Sequence, residues 1–283
     1  MPELPEVETI KRGLKPELVG QKIVSVDVRV PKLFIGFPEM IIGQKVLDID
    51  RRAKILIISF EKNTLAVHLK MTGQLIYVPN NSQAAIGGGH PDKAYLAELP
   101  HKYSHIIFQF DKGTLYFNDL RKFGWIKVLS SPEDLEPLVS SLGPEYTWPE
   151  YTFEYLKDKL SRRGTITIKQ ALLDQSLVAG VGNIYADEAL FLSKIHPRRK
   201  VKDLTSSDIK ALYENISAVF ETSLAHGGTS SQNYRKADGS KGNYLEFANV
   251  YKREGQPCKV CGTPIERIKI AGRSSHFCPT CQK

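Results

Sequence analysis

Four cysteines constrain this chain more tightly than any other feature. Cys258-x-x-Cys261 is followed, after 16 residues, by Cys278-x-x-Cys281, and all four lie in the last 26 residues. Two knuckles of this form place four thiolates tetrahedrally around one zinc ion, at Zn–S of about 2.3 Å. Gly262 and Pro279 allow the tight turns. In a reducing compartment such a cluster favours a metal over two disulfides. With every position filled by protein, the expected single Zn2+ has no open site and is structural. ERIKIAGRSSHF, between the knuckles, reads as a hairpin carrying Lys269 and Arg273. It either presents them to phosphates or serves packing and protein contacts. His276 lies close by, but no fifth ligand is needed.

The 283 residues predict two domains. With 41% hydrophobic and 25% charged residues, the chain can bury real cores, which excludes a disordered protein. Its 39 basic and 31 acidic residues leave a formal charge of +8. That favours an anionic partner such as nucleic acid without deciding the matter. No apolar run approaches the roughly 18 residues of a membrane span. The acidic N-terminus lacks the apolar core of a secretory signal, so a cytoplasmic protein with no membrane partner is expected.

PEVETIKRGLKPELVG reads as a helix. Pro5 sits in its first turn, Leu4, Val7, Ile10 and Leu14 recur at helical spacing, and Gly20 is a stop. KIVSVDVRV, KILIISF, TLAVHLKM, HIIFQF, TLYFNDL and WIKVL read as strands, with a hairpin turn in FDKGTL. Antiparallel strands in such number predict a sandwich or barrel. Residues 79–103 read as a long loop. Their GGGH is followed by neither a phosphate-loop lysine nor a helix start, so it is no nucleotide site. Near residue 130 the texture turns polar and Pro-containing. Helical spacing then dominates in FEYLKDKLSRR, IKQALLDQ, NIYADEALFLSKI and SSDIKALYENISAVFETSLAHG, the last capped by Ser206 or Ser207 with Asp208.

Three stretches carry candidate chemistry. In DQSLVAGVGNIYADEALF, Gly180 and Gly182 bracket a turn, and Asn183 opens a helix whose unpaired N–H groups favour a phosphate. A plain helical hairpin would read the same way. HLKMTG and DLRKFG follow strands and contain Met71, Arg121 and Phe123. Met71 and Phe123 suit a core. Arg121 does not, and apolar wedges beside an arginine are also what proteins insert into a DNA stack.

Taken in order, PELPEVET, the lysine of RRAKILI, HLKMTG, DLRKFG, ALLDQ-x-x-VAGVGNIYADEALF and the terminal cysteines resemble bacterial formamidopyrimidine-DNA glycosylase over nearly the whole chain. The resemblance implies an α+β fold of two domains. An N-terminal antiparallel β-sandwich with a leading helix spans 1–130 and a linker 131–150. A helical DNA-binding domain with a helix–two-turn–helix spans 151–248, and a zinc ribbon 249–283. It implies a glycosylase and abasic-site lyase of base excision repair. The enzyme would excise 8-oxoguanine and formamidopyrimidines from double-stranded DNA, cleave abasic sites, and act as a monomer.

The resemblance also explains the acidic, proline-led start. Once Met1 is removed, Pro2 presents a secondary amine. An α-amino group titrates near roughly 7.7–8.0, so a fair share is unprotonated at neutral pH. Such an amine can displace a base at the sugar C1′ and form a Schiff base. Glu3 would serve the sugar as acid and electrostatic partner, and Glu6 would hold the site. Lys54 and His68 would contact phosphate at the lesion, and Lys54 could also move protons. Lys169, Asn183 and Arg273 would clamp flanking phosphates. Met71, Arg121 and Phe123 would fill the hole left by the everted nucleotide, Arg121 meeting the widowed cytosine. Residues 229–244 would hold the everted base.

Two departures stand out: the 79–103 loop is longer than the family leads us to expect, and Pro2 remains an amide while Met1 is attached. An endonuclease VIII-type enzyme acting on oxidised pyrimidines is one alternative, but the start reads PELPEVE rather than PEGPE. A non-catalytic lesion-binding protein is another, against which the intact Pro2, Glu3 and Lys54 argue.

Overall fold

The structure, a computed structural model, describes residues 1–81, 85–89, 98–229 and 244–283. It divides into two compact units. One comprises Met1–Ser140 and the stretch that starts at His226; the other comprises Ser141–Ala225 and Tyr244–Lys283. The ribbon segment thus groups with the helices, and the chain returns to the first unit just before the 229–244 stretch. Residues 230–243 lie outside the described residues, as do 82–84 and 90–97 of the expected long loop.

The first unit opens with α1 (Leu4–Leu18). Strands β1 (Ile23–Val28), β2 (Phe34–Ile35), β3 (Val46–Arg52), β4 (Ile55–Phe60) and β5 (Thr64–His68) follow, then β6 (Gly73–Pro79), β7 (Ile86–Gly89), β8 (Ser104–Phe110), β9 (Gly113–Asp119) and β10 (Trp125–Leu129). They form two five-stranded sheets, ordered β1-β8-β9-β6-β7 and β2-β10-β5-β4-β3. All pairs are antiparallel except the short β10–β2 pair. Val7, Ile10, Leu14 and Leu18 of α1 share one buried cluster with residues of both sheets, among them Ile58, Val67, Phe108 and Phe117. The sandwich and its leading helix are as expected.

The structure corrects part of the 79–103 reading. Ile86–Gly89 is a strand, paired antiparallel with β6. Its glycines are the reason: a Cβ on Gly87 would stand 2.1 Å from the Leu75 carbonyl oxygen, and one on Gly89 would stand 2.4 Å from that of Gly73. Residues that look like loop formers are here the only ones able to pair so closely.

A short α2 (Glu136–Val139) ends the first unit's main run. The second unit contains α3 (Phe153–Ser161), α4 (Ile168–Leu173), α5 (Asn183–Leu192), α6 (Ser206–Ala225), α7 (Tyr244–Phe247) and the hairpin β11 (Glu266–Ile270)–β12 (Arg273–Phe277). The cap of α6 falls one residue earlier than expected. The Thr205 hydroxyl accepts from the Asp208 N–H at 3.2 Å, and the Asp208 carboxylate accepts the Thr205 N–H at 2.8 Å. This reciprocal pair satisfies two donors at once. Among the described residues, no helix is long and apolar enough to cross a membrane.

Candidate active site and nucleic-acid interface

The chain's first turn is buried. Pro2 is buried behind an exposed Met1, and Glu3 and Glu6 are each only 2% exposed. Glu3 stands at the head of α1 in extended backbone, and its N–H donates to Glu6 Oε2 at 2.8 Å. The other oxygen, Glu6 Oε1, accepts from the N–H of Thr229 at 2.9 Å and from its hydroxyl at 3.0 Å. One carboxylate therefore ties the first turn to the root of the 229–244 segment. The two glutamates close a capping box at the head of α1, and both are buried rather than left in water.

Lys54 and His68 come together through sheet register. Lys54 occupies the two-residue turn between β3 and β4, where Ala53 has φ of 51°. Ile55, the next residue, pairs with His68 at the end of β5, and His68 pairs in turn with Trp125 at the start of β10. The loops after β3, after β5 and before β10 thus share one end of this sheet. Lys54 is 7% exposed. The His68 ring packs 5.6 Å from that of Trp125, and its Nδ1 accepts the Lys70 N–H at 2.9 Å. Burial lowers the pKa of His68 to about 3, helped by the charges of Lys70 and Lys54. The ring is therefore neutral, with its proton on Nε2, and acts as a donor rather than a cation.

Met71, Arg121 and Phe123 occupy the loops at that same sheet end. Met71 is half-buried; Phe123 is 54% exposed, so it is no core residue. The Arg121 guanidinium stacks 4.8 Å from the centre of the Phe123 ring. A cation laid on an exposed ring presents a flat, charged, apolar-edged surface.

The second unit revises one expectation. Lys169, expected to clamp a phosphate, is completely buried. Its ammonium donates to Asp187 at 2.6 Å and to the Asn183 carbonyl at 2.9 Å. Asp187 also accepts from the Ser275 hydroxyl at 2.5 Å and the His276 N–H at 2.9 Å. Lys169 thus pins α4 to α5 and, through Asp187, to β12, and in this structure it has no surface to offer a phosphate. Asn183 begins α5 after a Gly182 cap that has no side chain, and its Oδ1 is buried without a partner among the described residues. Arg273 is exposed at the head of β12, straight after the Ala271–Gly272 turn, where both residues have positive φ.

Four sulfurs lie within 4.8 Å of one another at the base of this hairpin. Cys258 and Cys281 stand 3.9 Å apart, and Cys261 and Cys278 3.5 Å. Tetrahedral zinc with bonds of about 2.3 Å places its sulfurs roughly 3.8 Å apart, so the donor set fits. The cluster is a structural zinc site.

Among the buried carboxylates that escaped the sequence reading, Asp119, Asp187 and Glu188 are the most enclosed, exposed by 0%, 1% and 0%. Glu188 accepts the N–H groups of Asn249, Val250 and Tyr251. The one available signal was position. Asp119 stands two residues before the start of the Arg121–Gly124 turn, where an aspartate commonly bonds backbone ahead of it.

Comparison with known proteins agrees across the chain. Residues 1–126 match the formamidopyrimidine-DNA glycosylase N-terminal domain, residues 142–235 its H2TH domain, and residues 255–283 a zinc finger found in FPG and IleRS. A formamidopyrimidine-DNA glycosylase of Desulforamulus reducens is 43% identical, covering 100% of this chain and 99% of that protein. Among solved structures, a single-residue variant of Lactococcus lactis FPG in complex with Fapy-dG DNA superposes at a TM-score of 0.87 with 35% identity, covering both chains fully. The wild-type L. lactis enzyme with DNA containing an oxidised pyrimidine gives 0.86 at 35% identity, also over both full chains.

Proposed function

This chain belongs to the formamidopyrimidine-DNA glycosylase family, and from that premise we propose that it is a glycosylase and abasic-site lyase of base excision repair. It acts in the cytoplasm on double-stranded DNA carrying oxidised purines or abasic sites. The burial of Glu3 and Glu6 beside Pro2 carries this reading, because a helix start serving only to cap would leave them in water.

Removal of Met1 frees the Pro2 nitrogen. Its lone pair attacks C1′, the glycosidic bond breaks towards the base, and the ring-opened sugar is held as an iminium. Glu3 moves the proton at the sugar and balances the positive charge. β-Elimination and then δ-elimination release the two phosphates. Lys54 and the neutral Nε2–H of His68 hold phosphate at the lesion. Asn183 and Arg273 hold flanking phosphates, and Met71, Arg121 and Phe123 occupy the vacated stack. The zinc keeps the ribbon folded and takes no part in the reaction.

The L. lactis relative's complex with an oxidised pyrimidine favours a wider lesion range as a second reading. The test is borohydride trapping with Met1-free protein on duplexes carrying 8-oxoguanine or thymine glycol. We expect a covalent adduct that forms faster with 8-oxoguanine and is lost in Pro2→Gly while DNA binding survives. Equal trapping by Pro2→Gly would overturn the assignment. Preference for thymine glycol would move the enzyme to the endonuclease VIII type, and absence of any adduct would favour a binding protein.

A further inference from the structure

Met71 and the Arg121–Phe123 pair lie on different loops, yet a wedge works only if its parts enter the helix in fixed relation. Asp119, the last residue of β9, lies between these loops and is completely buried. Its Oδ1 accepts from the Thr72 hydroxyl and, at 3.1 Å, from the Arg121 N–H. Its Oδ2 accepts from the N–H groups of Phe123 at 2.8 Å and Gly124 at 2.7 Å. The Thr72 hydroxyl also accepts the Arg121 N–H, at 3.0 Å. Thr72 directly follows Met71, so a side chain next to one wedge residue bonds the backbone of another.

All four donors to Asp119 are uncharged, and three are backbone N–H groups of the Arg121–Gly124 turn. A buried carboxylate is tolerable only when its lone pairs are filled in this way. The turn gains in return: Lys122, at its centre, sits at φ of 55°, a conformation disfavoured for a residue with a Cβ unless its surroundings impose it. Below, the His105 ring meets the Asp119 carbonyl at 2.8 Å and closes the base of the network.

We infer that Asp119, acting with Thr72, is a positioning residue that locks the two loops into a single preformed wedge. This rests on the reading of Met71, Arg121 and Phe123 given above. Neither residue touches the reacting sugar, so base eversion depends on them more than chemistry at C1′ does. Opening a paired stack costs a few kcal/mol, and least when the base is already missing. An 8-oxoguanine duplex therefore needs the wedge, and a preformed abasic site needs it far less.

The experiment compares single-turnover excision of 8-oxoguanine with borohydride trapping on an abasic-site duplex, using Met1-free protein of verified zinc content. In Asp119→Asn the amide group must face at least one N–H. The ratio of the 8-oxoguanine rate to the abasic-site rate should fall at least tenfold. Thr72→Val should lower the same ratio, and Thr72→Ser should restore it. Should Asp119→Asn fail to fold, the two Thr72 variants decide alone. An unchanged ratio, or an equal fall on both substrates, overturns the inference. A wild-type enzyme inactive on both substrates instead overturns the proposed function.

Discussion

Glu6 and Thr229 are 223 positions apart in sequence and are joined by two hydrogen bonds to a single carboxylate oxygen. The second oxygen holds the N–H of Glu3. The residue beside the proposed nucleophile Pro2 and the root of the segment expected to cover the everted base are therefore fixed by one side chain.

Glu6→Gln tests this coupling. The amide keeps one acceptor oxygen, so its NH2 must oppose either Thr229 or Glu3. A charge-assisted hydrogen bond is worth about 1.5–3 kcal/mol, or roughly ten- to a hundredfold in rate. Single-turnover excision should slow by that range while duplex affinity, measured by anisotropy, changes less than threefold. An unaffected rate would show that the tie is not used.

His68 gives a pH prediction. Its pKa falls from 6.5 to about 3 in the folded state, through burial first and the Lys70 and Lys54 charges next. Below pH 6.5 the unfolded chain therefore takes up a proton that the folded chain refuses. Stability from this group is full above pH 6.5 and is lost progressively as pH falls towards 3. Thermal melts of His68→Gln should depend less steeply on pH between 6.5 and 4 than those of wild type. Between pH 7 and 8, where the ring stays neutral, the two should run parallel; divergence there would mean that His68 is charged.

Much of this was legible in the sequence, and the exceptions have physical causes. β8 and β4 announce themselves by branched and aromatic residues. β3 escaped notice because Asp48, Asp50, Arg51 and Arg52 interrupt its apolar pattern, and β7 because glycine is a poor strand former whose one advantage is close approach. The zinc ligands were readable because their chemistry lies in local spacing. Asp119 and Asp187 were not, since a lone aspartate looks like a turn or surface residue until the fold brings donors to it from other segments. Lys169 misled for the same reason: its partner Asp187 lies 18 positions on.

Lys169 offers a direct discrimination. Removing one partner of a buried ion pair leaves an uncompensated charge and costs about 3–5 kcal/mol. Lys169→Met should lose stability on that scale in urea titration, and Lys169→Met with Asp187→Leu should lose less than the sum of the two single variants. A phosphate ligand would also steepen the salt dependence of DNA binding by roughly 0.9 in log–log slope. A buried pin contributes nothing there, so the slope should stay unchanged in Lys169→Met. A reduced slope would return Lys169 to the DNA surface.

Arg273 and the zinc site make the complementary case. Arg273 opens β12, Ser275 and His276 are anchored to Asp187 two and three residues later, and Cys278 follows. The metal and the buried carboxylate thus grip β12 on the same side of the arginine. Arg273→Ala should reduce the salt slope by about 0.9 and weaken binding to damaged and undamaged duplexes alike, with zinc retained. Chelation removes one of the two anchors and much of the folding energy of a ribbon built on its metal. Metal-stripped enzyme should therefore lose at least the affinity that Arg273→Ala loses, and Arg273→Ala should then cost little more in the stripped protein. Full affinity after verified zinc loss would mean that Asp187 alone holds Arg273 in place.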